Sequence, residues 1–129
     1  MNYNQALSKV VSLLNRQDDV GTRAVGRAMV AIYKRQTADE ARGGYTSASN
    51  GQGFNKADAS RGTYYARWVL SGRKLSGRHL EKARKMALRY RRQLAEDTLA
   101  TWRERERERA IEARSSEPLR VSYHVTKVA

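Results

Sequence analysis

Apolar residues recur along most of the chain at steps of three and four, which is the spacing of one face of an α-helix. Two such stretches, residues 3–15 and 21–36, begin the sequence. The carboxylates of Asp18 and Asp19 stand between them, where they can cap the second helix. Because the link is short, we predict a helical hairpin over residues 1–37.

Residues 38–55 have a different composition, rich in Gly, Ser and Asn and nearly without apolar side chains. Such a stretch has little to bury, so we predict a flexible loop. A third helix is expected over about residues 57–71, and Gly72 is well suited to end it.

Ser76 marks the start of a fourth helix. Leu75 and Leu80 occupy the two positions of a hydrophobic staple around this N-cap. A stripe with steps of three and four follows, formed by Leu80, Ala83, Ala87, Tyr90 and Leu94.

Beyond Leu94 the helix either continues or breaks at residues 97–98. Arg and Glu alternate over residues 103–109. This alternation predicts a solvated helix with weak ion pairs at i,i+3.

The last residues show the only strand-like pattern of the sequence. After Pro118, apolar residues alternate with polar ones, which predicts a β-strand with Leu119, Val121, Tyr123 and Val125 on one face. A single strand leaves its backbone donors and acceptors unpaired. It could pair with a second copy in a homodimer, add to the sheet edge of a partner protein, or pack over the helices as an extended tail.

These elements predict a mainly α fold: a small helical bundle with one long C-terminal helix and a single C-terminal strand or extended tail. The length of 129 residues suits one domain. Its parts are the hairpin 1–37, the loop 38–55, a basic helix–turn–long-helix unit 56–114 and the strand or tail 115–129. A hydrophobic fraction of 40% and a charged fraction of 30% predict a thin core.

The net charge of +13 comes from 26 Lys and Arg against 13 Asp and Glu. Such an excess favours a polyanion: DNA or RNA, an anionic membrane face, or an acidic protein. No apolar run approaches the ~20 residues of a membrane span, and the basic helix lacks the bulky apolar face of an interfacial helix, so no membrane partner is expected. The N-terminus has no signal-peptide pattern and there is no Cys. We therefore expect a cytoplasmic protein.

No arrangement typical of catalysis or metal binding occurs in the sequence. The two histidines, His79 and His124, are far apart, and no nucleophile-elbow, zinc-peptidase or phosphate-loop motif is present. We expect no enzyme activity, no cofactor and no metal site.

Most of the net charge lies in residues 56–92, which contain twelve Lys or Arg and two acids, Asp58 and Glu81, a net +10. Clustering of one sign favours phosphate contacts over a face that only keeps the protein soluble. The predicted nucleic-acid-binding residues are Arg61, Arg67, Arg73, Lys74, Arg78, Lys82, Lys85, Arg89 and Arg92.

The aromatic cluster Tyr64, Tyr65 and Trp68 has two interpretations. The rings could stack on unpaired bases, or they could simply form the core. The helix–turn–helix spacing also allows one helix to enter a DNA major groove. The sequence does not separate DNA from RNA.

Landmark residues follow one another through residues 51–94 in a recognisable order: Gly53-Phe54-Asn55, Asp58, Gly62, Ala66, Leu75-Ser76, Ala83-Arg84 and Tyr90 to Leu94. This order resembles a short basic helical module of phage and bacterial DNA-processing proteins, some copies of which precede helicase domains. The resemblance covers about a third of the chain. It implies a stand-alone, phage-encoded accessory protein in the bacterial host cytoplasm, and it assigns no catalytic residue.

Two functions from different classes remain open. The first is a non-enzymatic nucleic-acid-binding accessory protein that contacts phosphates through residues 56–92. The second is a phage inhibitor of a host nucleic-acid-processing or defence complex, anti-CRISPR-like or anti-restriction-like, that docks on a host protein through its basic face or its C-terminal strand.

Overall fold

The computed structural model describes the backbone of residues 1–43 and 53–128, and the side chains of residues 1–38 and 53–115. Within these ranges the fold is mainly helical, as predicted, and contains no strand. The five helices are α1 (Tyr3–Leu14), α2 (Asp19–Gly43), α3 (Ala59–Leu70), α4 (Gly77–Arg89) and α5 (Arg91–Val128).

The starts of α1 and α2 are fixed by side chains that accept backbone hydrogen bonds. Asn2 and Gln5 form a reciprocal capping box at α1, with bonds of 2.8 and 2.9 Å. Asp18 Oδ1 accepts the N–H of Gly21 at 3.1 Å, which confirms the capping predicted for α2. The helix α2 continues to Gly43, so residues 38–43 are helical and not part of a loop.

One hydrophobic core joins all five helices, and a smaller cluster joins α1 to α5. The larger core has Leu14, Ile32, Tyr65, Ala87 and Leu94 among its buried members. The smaller cluster consists of Ala6, Ala95 and Leu99, with Trp102 packed against it. The larger core holds α3 and α4 on the rest of the bundle along one face of each helix, and the smaller cluster holds α5 on α1.

Arg84 is buried inside this packing, 5% exposed. Its Nη1 donates to the backbone oxygens of Leu14 and, at 2.7 Å, of Arg16. These carbonyls lie at the end of α1, where a helix leaves acceptors without internal partners. Arg84, on α4, therefore caps the C-terminus of α1.

The turn between α3 and α4 ends one helix and starts the next within six residues. Gly72 has a φ of +89°, and the N–H groups of Gly72 and Arg73 return to Val69 and Trp68. This is a Schellman motif, so the stop predicted at Gly72 is confirmed. Ser76 is the N-cap of α4 in extended conformation, although its side chain makes no capping hydrogen bond.

Phe54 lies in the core at 1% exposure, contrary to the flexible loop predicted for residues 38–55. Its ring packs edge to face against the Tyr90 ring, with 5.6 Å between the ring centroids. A Cβ on Gly62 would lie 2.5 Å from the same ring, so the absence of a side chain there lets α3 approach. The Gly- and Ser-rich composition before Phe54 did not predict its contact with Tyr90, because Tyr90 lies far along the chain.

Polar contacts fix the backbone on both sides of Phe54. The side-chain amide of Gln93 accepts from the N–H of Gly53 at 3.0 Å and donates to its carbonyl at 3.2 Å. The Tyr90 hydroxyl accepts from the N–H of Asn55 at 2.9 Å. Several positions that carried the resemblance in the sequence thus belong to one packing arrangement, which we call the Phe54 anchor (Gly53–Asn55, Asp58, Gly62, Tyr90 and Gln93).

The break between α4 and α5 falls at Tyr90, earlier than residues 97–98, where the sequence allowed one. From there α5 runs for 38 residues, a length of about 57 Å. Its described side chains from 103 to 115 are all exposed. Arg107 pairs with Glu104 at 2.7 Å and Arg109 pairs with Glu106, both at i,i+3, which confirms the solvated, ion-paired helix predicted there.

The structure does not support the C-terminal strand. Residues 119–125, with Leu119, Val121, Tyr123 and Val125, belong to α5, and their side chains lie outside the described residues. A strand needs a neighbour to pair its backbone groups, and the described part of this chain offers none, whereas a helix satisfies them internally. Pairing of this strand in a homodimer or with a partner sheet therefore loses its basis.

Candidate nucleic-acid interface

One face of α4 carries a row of four cations. Arg78, Lys82, Lys85 and Arg89 are spaced four, three and four residues apart, and all are exposed. The row spans about 16 Å along the helix axis. The row faces away from the core, because Ala83 and Ala87 are buried on the opposite side of α4.

The facing helix, α3, presents a shorter row of exposed or half-exposed residues. Arg61, Tyr64 and Trp68 are spaced three and four apart, while Gly62, Tyr65 and Ala66 point into the core. The two amphipathic helices therefore turn their polar rows toward the same side of the molecule.

Between these rows lies a groove of about 780 Å³, which we call the α3–α4 groove. Arg61 on one wall and Lys82, Lys85 and Arg89 on the other bring four cations to it. Its lining consists of Ala57, Asp58, Ser60, Arg61, Tyr64, Tyr65, His79, Lys82, Lys85, Met86 and Arg89. Cations that are separate in the sequence thus converge on one surface.

Asp58 is the one acid in this lining, and it is already engaged. Its Oδ1 accepts from Arg89 Nη2 at 2.9 Å, and its Oδ2 accepts from the Tyr90 hydroxyl at 2.7 Å. Among the side chains that the structure describes, no acid pairs with Arg61, Lys82 or Lys85. Three groove cations are therefore available to an external anion, and Arg89 is partly neutralised.

The Tyr90 hydroxyl stays protonated behind this carboxylate. Burial raises the pKa of Tyr90 to about 12, and its hydrogen bond to Asp58 raises the pKa as well. A protonated phenol can donate its hydrogen bond to Asp58 throughout the neutral range.

The three aromatic residues proposed for stacking have different surroundings. Tyr65 is 2% exposed, with its hydroxyl 3.3 Å from His79 Nδ1, so it belongs to the core and cannot stack on a base. Tyr64 is 56% exposed and lines the α3–α4 groove. Trp68 is partly buried. The sequence spacing could not separate Tyr64 from Tyr65, because adjacent residues on a helix differ by only about 100° in direction.

Trp68 supports Tyr64 from behind. The two rings stack with 6.2 Å between centroids and 28° between planes. Trp68 is itself held by a 3.1 Å hydrogen bond from its Nε1 to the carbonyl of Lys74 and by the Arg73 guanidinium, 4.5 Å from its ring centroid. Arg73 thus contacts an aromatic ring while remaining exposed.

The remaining predicted contacts lie away from the α3–α4 groove. Arg67 and Arg73 line a second groove on the other side of Tyr64, and Arg67 lies 6.0 Å from the Tyr33 ring centroid. Lys74 Nζ is 3.4 Å from Asp19 Oδ1. Arg92 is exposed in the first turn of α5, outside both linings.

His79 is exposed and lines the α3–α4 groove, although it was not among the residues predicted to bind nucleic acid. Its place three residues before Lys82 on the same helix was the available signal. In the parts of the chain with described side chains, no group of three or more His, Asp or Glu is arranged to hold a metal ion. Nor does any described helix have the length and apolar character needed to cross a membrane.

No protein-family model, curated protein or solved structure matches this chain. The resemblance noted for residues 51–94 therefore remains a sequence-based expectation.

Proposed function

We propose that this protein is a non-enzymatic nucleic-acid-binding protein that holds phosphates in the α3–α4 groove. The observation that carries the proposal is the convergence of Arg61, Lys82, Lys85 and Arg89 on one groove whose single acid is engaged by Arg89 and Tyr90. Lysine and arginine side chains at this density release condensed counterions from a nucleic-acid backbone, which is the main source of sequence-independent affinity.

The same chain shows what a merely solvated charged face looks like. Over residues 103–109 of α5, arginines alternate with glutamates, and two of the arginines pair with a glutamate on their own helix. The α4 row instead places like charges next to each other at i,i+3 and i,i+4, which destabilises a helix. A row that costs stability in the free protein is better explained by an anionic partner than by solubility.

A titration of fluorescently labelled oligonucleotides, followed by anisotropy at about 50 and 200 mM salt, tests the proposal. With four contacts, from Arg61, Lys82, Lys85 and Arg89, affinity should fall roughly 50- to 150-fold between the two conditions. Lys82→Gln/Lys85→Gln should weaken binding and lower the log–log salt slope by about 1.4–1.8.

The matched control is Arg103→Gln/Arg105→Gln, which removes the same charge from the exposed part of α5. Its affinity should stay close to that of the unmodified chain. Equal losses in the two double variants would show that only the total charge matters. Absence of binding at about 50 mM salt to single-stranded DNA, duplex DNA and RNA alike would rule the function out.

A further inference from the structure

We infer that the α3–α4 groove receives a single strand of nucleic acid, with Tyr64 as the ring on which one base stacks. This rests on the proposed function and specifies its substrate class. The inference combines three features of the described residues: an exposed ring, its support from behind, and cations on both walls of the groove.

Tyr64 is placed to meet a ligand from the groove. It is 56% exposed and lines the α3–α4 groove beside Arg61, and it also lines the second groove that contains Arg67 and Arg73. A ring at this position can contact a base while the neighbouring cations contact the phosphates before and after it. Alternation of stacking rings and cations is the usual construction of single-strand binding surfaces.

The ring is also ordered before any ligand arrives. Tyr64 stacks on Trp68, and Trp68 is held by the Lys74 carbonyl and the Arg73 guanidinium. Little side-chain entropy is then lost on binding, because the platform already has its bound orientation.

A duplex would use this surface poorly. Both walls of the α3–α4 groove carry cations, so a strand lying between them would meet its phosphates from two sides. In a duplex the base faces are already covered by their neighbours and offer nothing to Tyr64. If α4 instead entered a major groove, its own cation row would make the contacts, and Arg61 and Tyr64 on α3 would contribute much less.

DNA and RNA strands share the base faces and phosphates that this surface can contact. The experiment therefore includes an oligo(dT) and an oligo(U) strand of about 16 nucleotides and a mixed-sequence duplex of similar length, each titrated by anisotropy. The unmodified chain should bind at least one strand more tightly than the duplex.

Two substitutions at one position separate stacking from charge. Tyr64→Leu should weaken strand binding roughly 5- to 150-fold, the range for loss of one base–aromatic stack. Tyr64→Phe keeps the ring and should bind within about twofold of the unmodified chain. Duplex affinity should be nearly unchanged in both variants, because neither alters a charge.

The outcomes distinguish this inference from the proposed function. Equal affinity for strand and duplex, or strand binding that is insensitive to Tyr64→Leu, would overturn the single-strand inference while binding through the cations survives. If the unmodified chain binds none of the three probes, the proposed function itself fails. Urea unfolding verifies that both variants fold: Tyr64→Phe should match the unmodified chain, and Tyr64→Leu, which loses the ring contact with Trp68, should unfold cooperatively at a slightly lower urea concentration.

Discussion

The Tyr90 hydroxyl donates a 2.7 Å hydrogen bond to Asp58 Oδ2, and this contact links the Phe54 anchor to the α3–α4 groove. The other oxygen of the same carboxylate accepts from Arg89, one of the groove cations. A buried tyrosine that supports the fold therefore also positions Asp58, the one acid in the described lining of the α3–α4 groove. Changes at either residue should affect stability and binding to different degrees.

Tyr90→Phe should destabilise the protein by about 1–3 kcal/mol, measured by urea unfolding at neutral pH. The phenyl ring retains its contact with Phe54, but the substitution leaves the N–H of Asn55 without its acceptor and Asp58 without one donor. Tyr64→Phe is the matched control, since its ring is exposed and it should change stability by less than about 0.5 kcal/mol. Equal stabilities for both variants would contradict the role assigned to the Tyr90 hydroxyl.

The stabilising effect of the Tyr90 hydroxyl should disappear in alkaline solution. Burial raises the pKa of Tyr90 from 10.0 to about 12 in the folded protein, so the unfolded chain loses this proton first as the pH rises. The contribution is complete below about pH 10 and is lost between about pH 10 and 12. Urea midpoints should therefore differ most between the unmodified chain and Tyr90→Phe at pH 8, and the gap should narrow near pH 11. A gap that widens there would mean that Tyr90 ionises more easily in the fold.

Asp58→Asn should strengthen nucleic-acid binding while weakening the fold. The substitution removes the negative charge from the groove and releases Arg89, so affinity should rise about two- to fivefold, the equivalent of an exposed charge pair. Stability should fall by about 1–3 kcal/mol because one of the two donors at position 58 loses its acceptor. Glu104→Gln on α5, measured by the same anisotropy titration, removes a negative charge elsewhere and should leave affinity nearly unchanged. If Asp58→Asn binds no better than this control, Arg89 does not take part.

Arg84→Met should cost about 2–4 kcal/mol of unfolding free energy, although Arg84 lies in the most basic part of the sequence. The substitution keeps most of the volume but leaves the carbonyls of Leu14 and Arg16 without a donor. Arg23→Met serves as a control in the same urea experiment, because Arg23 forms an exposed pair with Asp19 that should be worth no more than about 1 kcal/mol. Comparable losses in the two variants would argue against Arg84 as a buried cap.

The helices could be predicted wherever local chemistry determines them. The Asp18 cap and the Gly72 stop depend only on neighbouring residues, and both are present as predicted. The break at Tyr90 was not predictable in this way. The apolar stripe continues through Tyr90, and no Gly or Pro marks the break. The hydrogen bonds of Tyr90 to Asn55 and of Gln93 to Gly53 join residues that are 35 and 40 positions apart in the sequence.

The candidate site was predicted in outline, since charge clustering located the basic segment. Sequence could not show that Arg84 is buried or that Arg92 lies apart from the groove, because both depend on how α4 and α5 pack. The strand pattern after Pro118 failed for a related reason. Alternation describes a side-chain preference, and a strand also requires a pairing partner that the described part of the chain does not provide.

The row Arg78, Lys82, Lys85 and Arg89 gives salt two opposite effects on this molecule. In the free protein, added ions screen the repulsion between like charges at i,i+3 and i,i+4, so moderate salt should raise the melting temperature. In the complex, the same ions lower the entropy gained when condensed counterions are released from the nucleic acid, so binding weakens. The protein should thus be least stable by itself at the ionic strengths where it holds a polyanion most tightly, and a bound polyanion should then raise its melting temperature most.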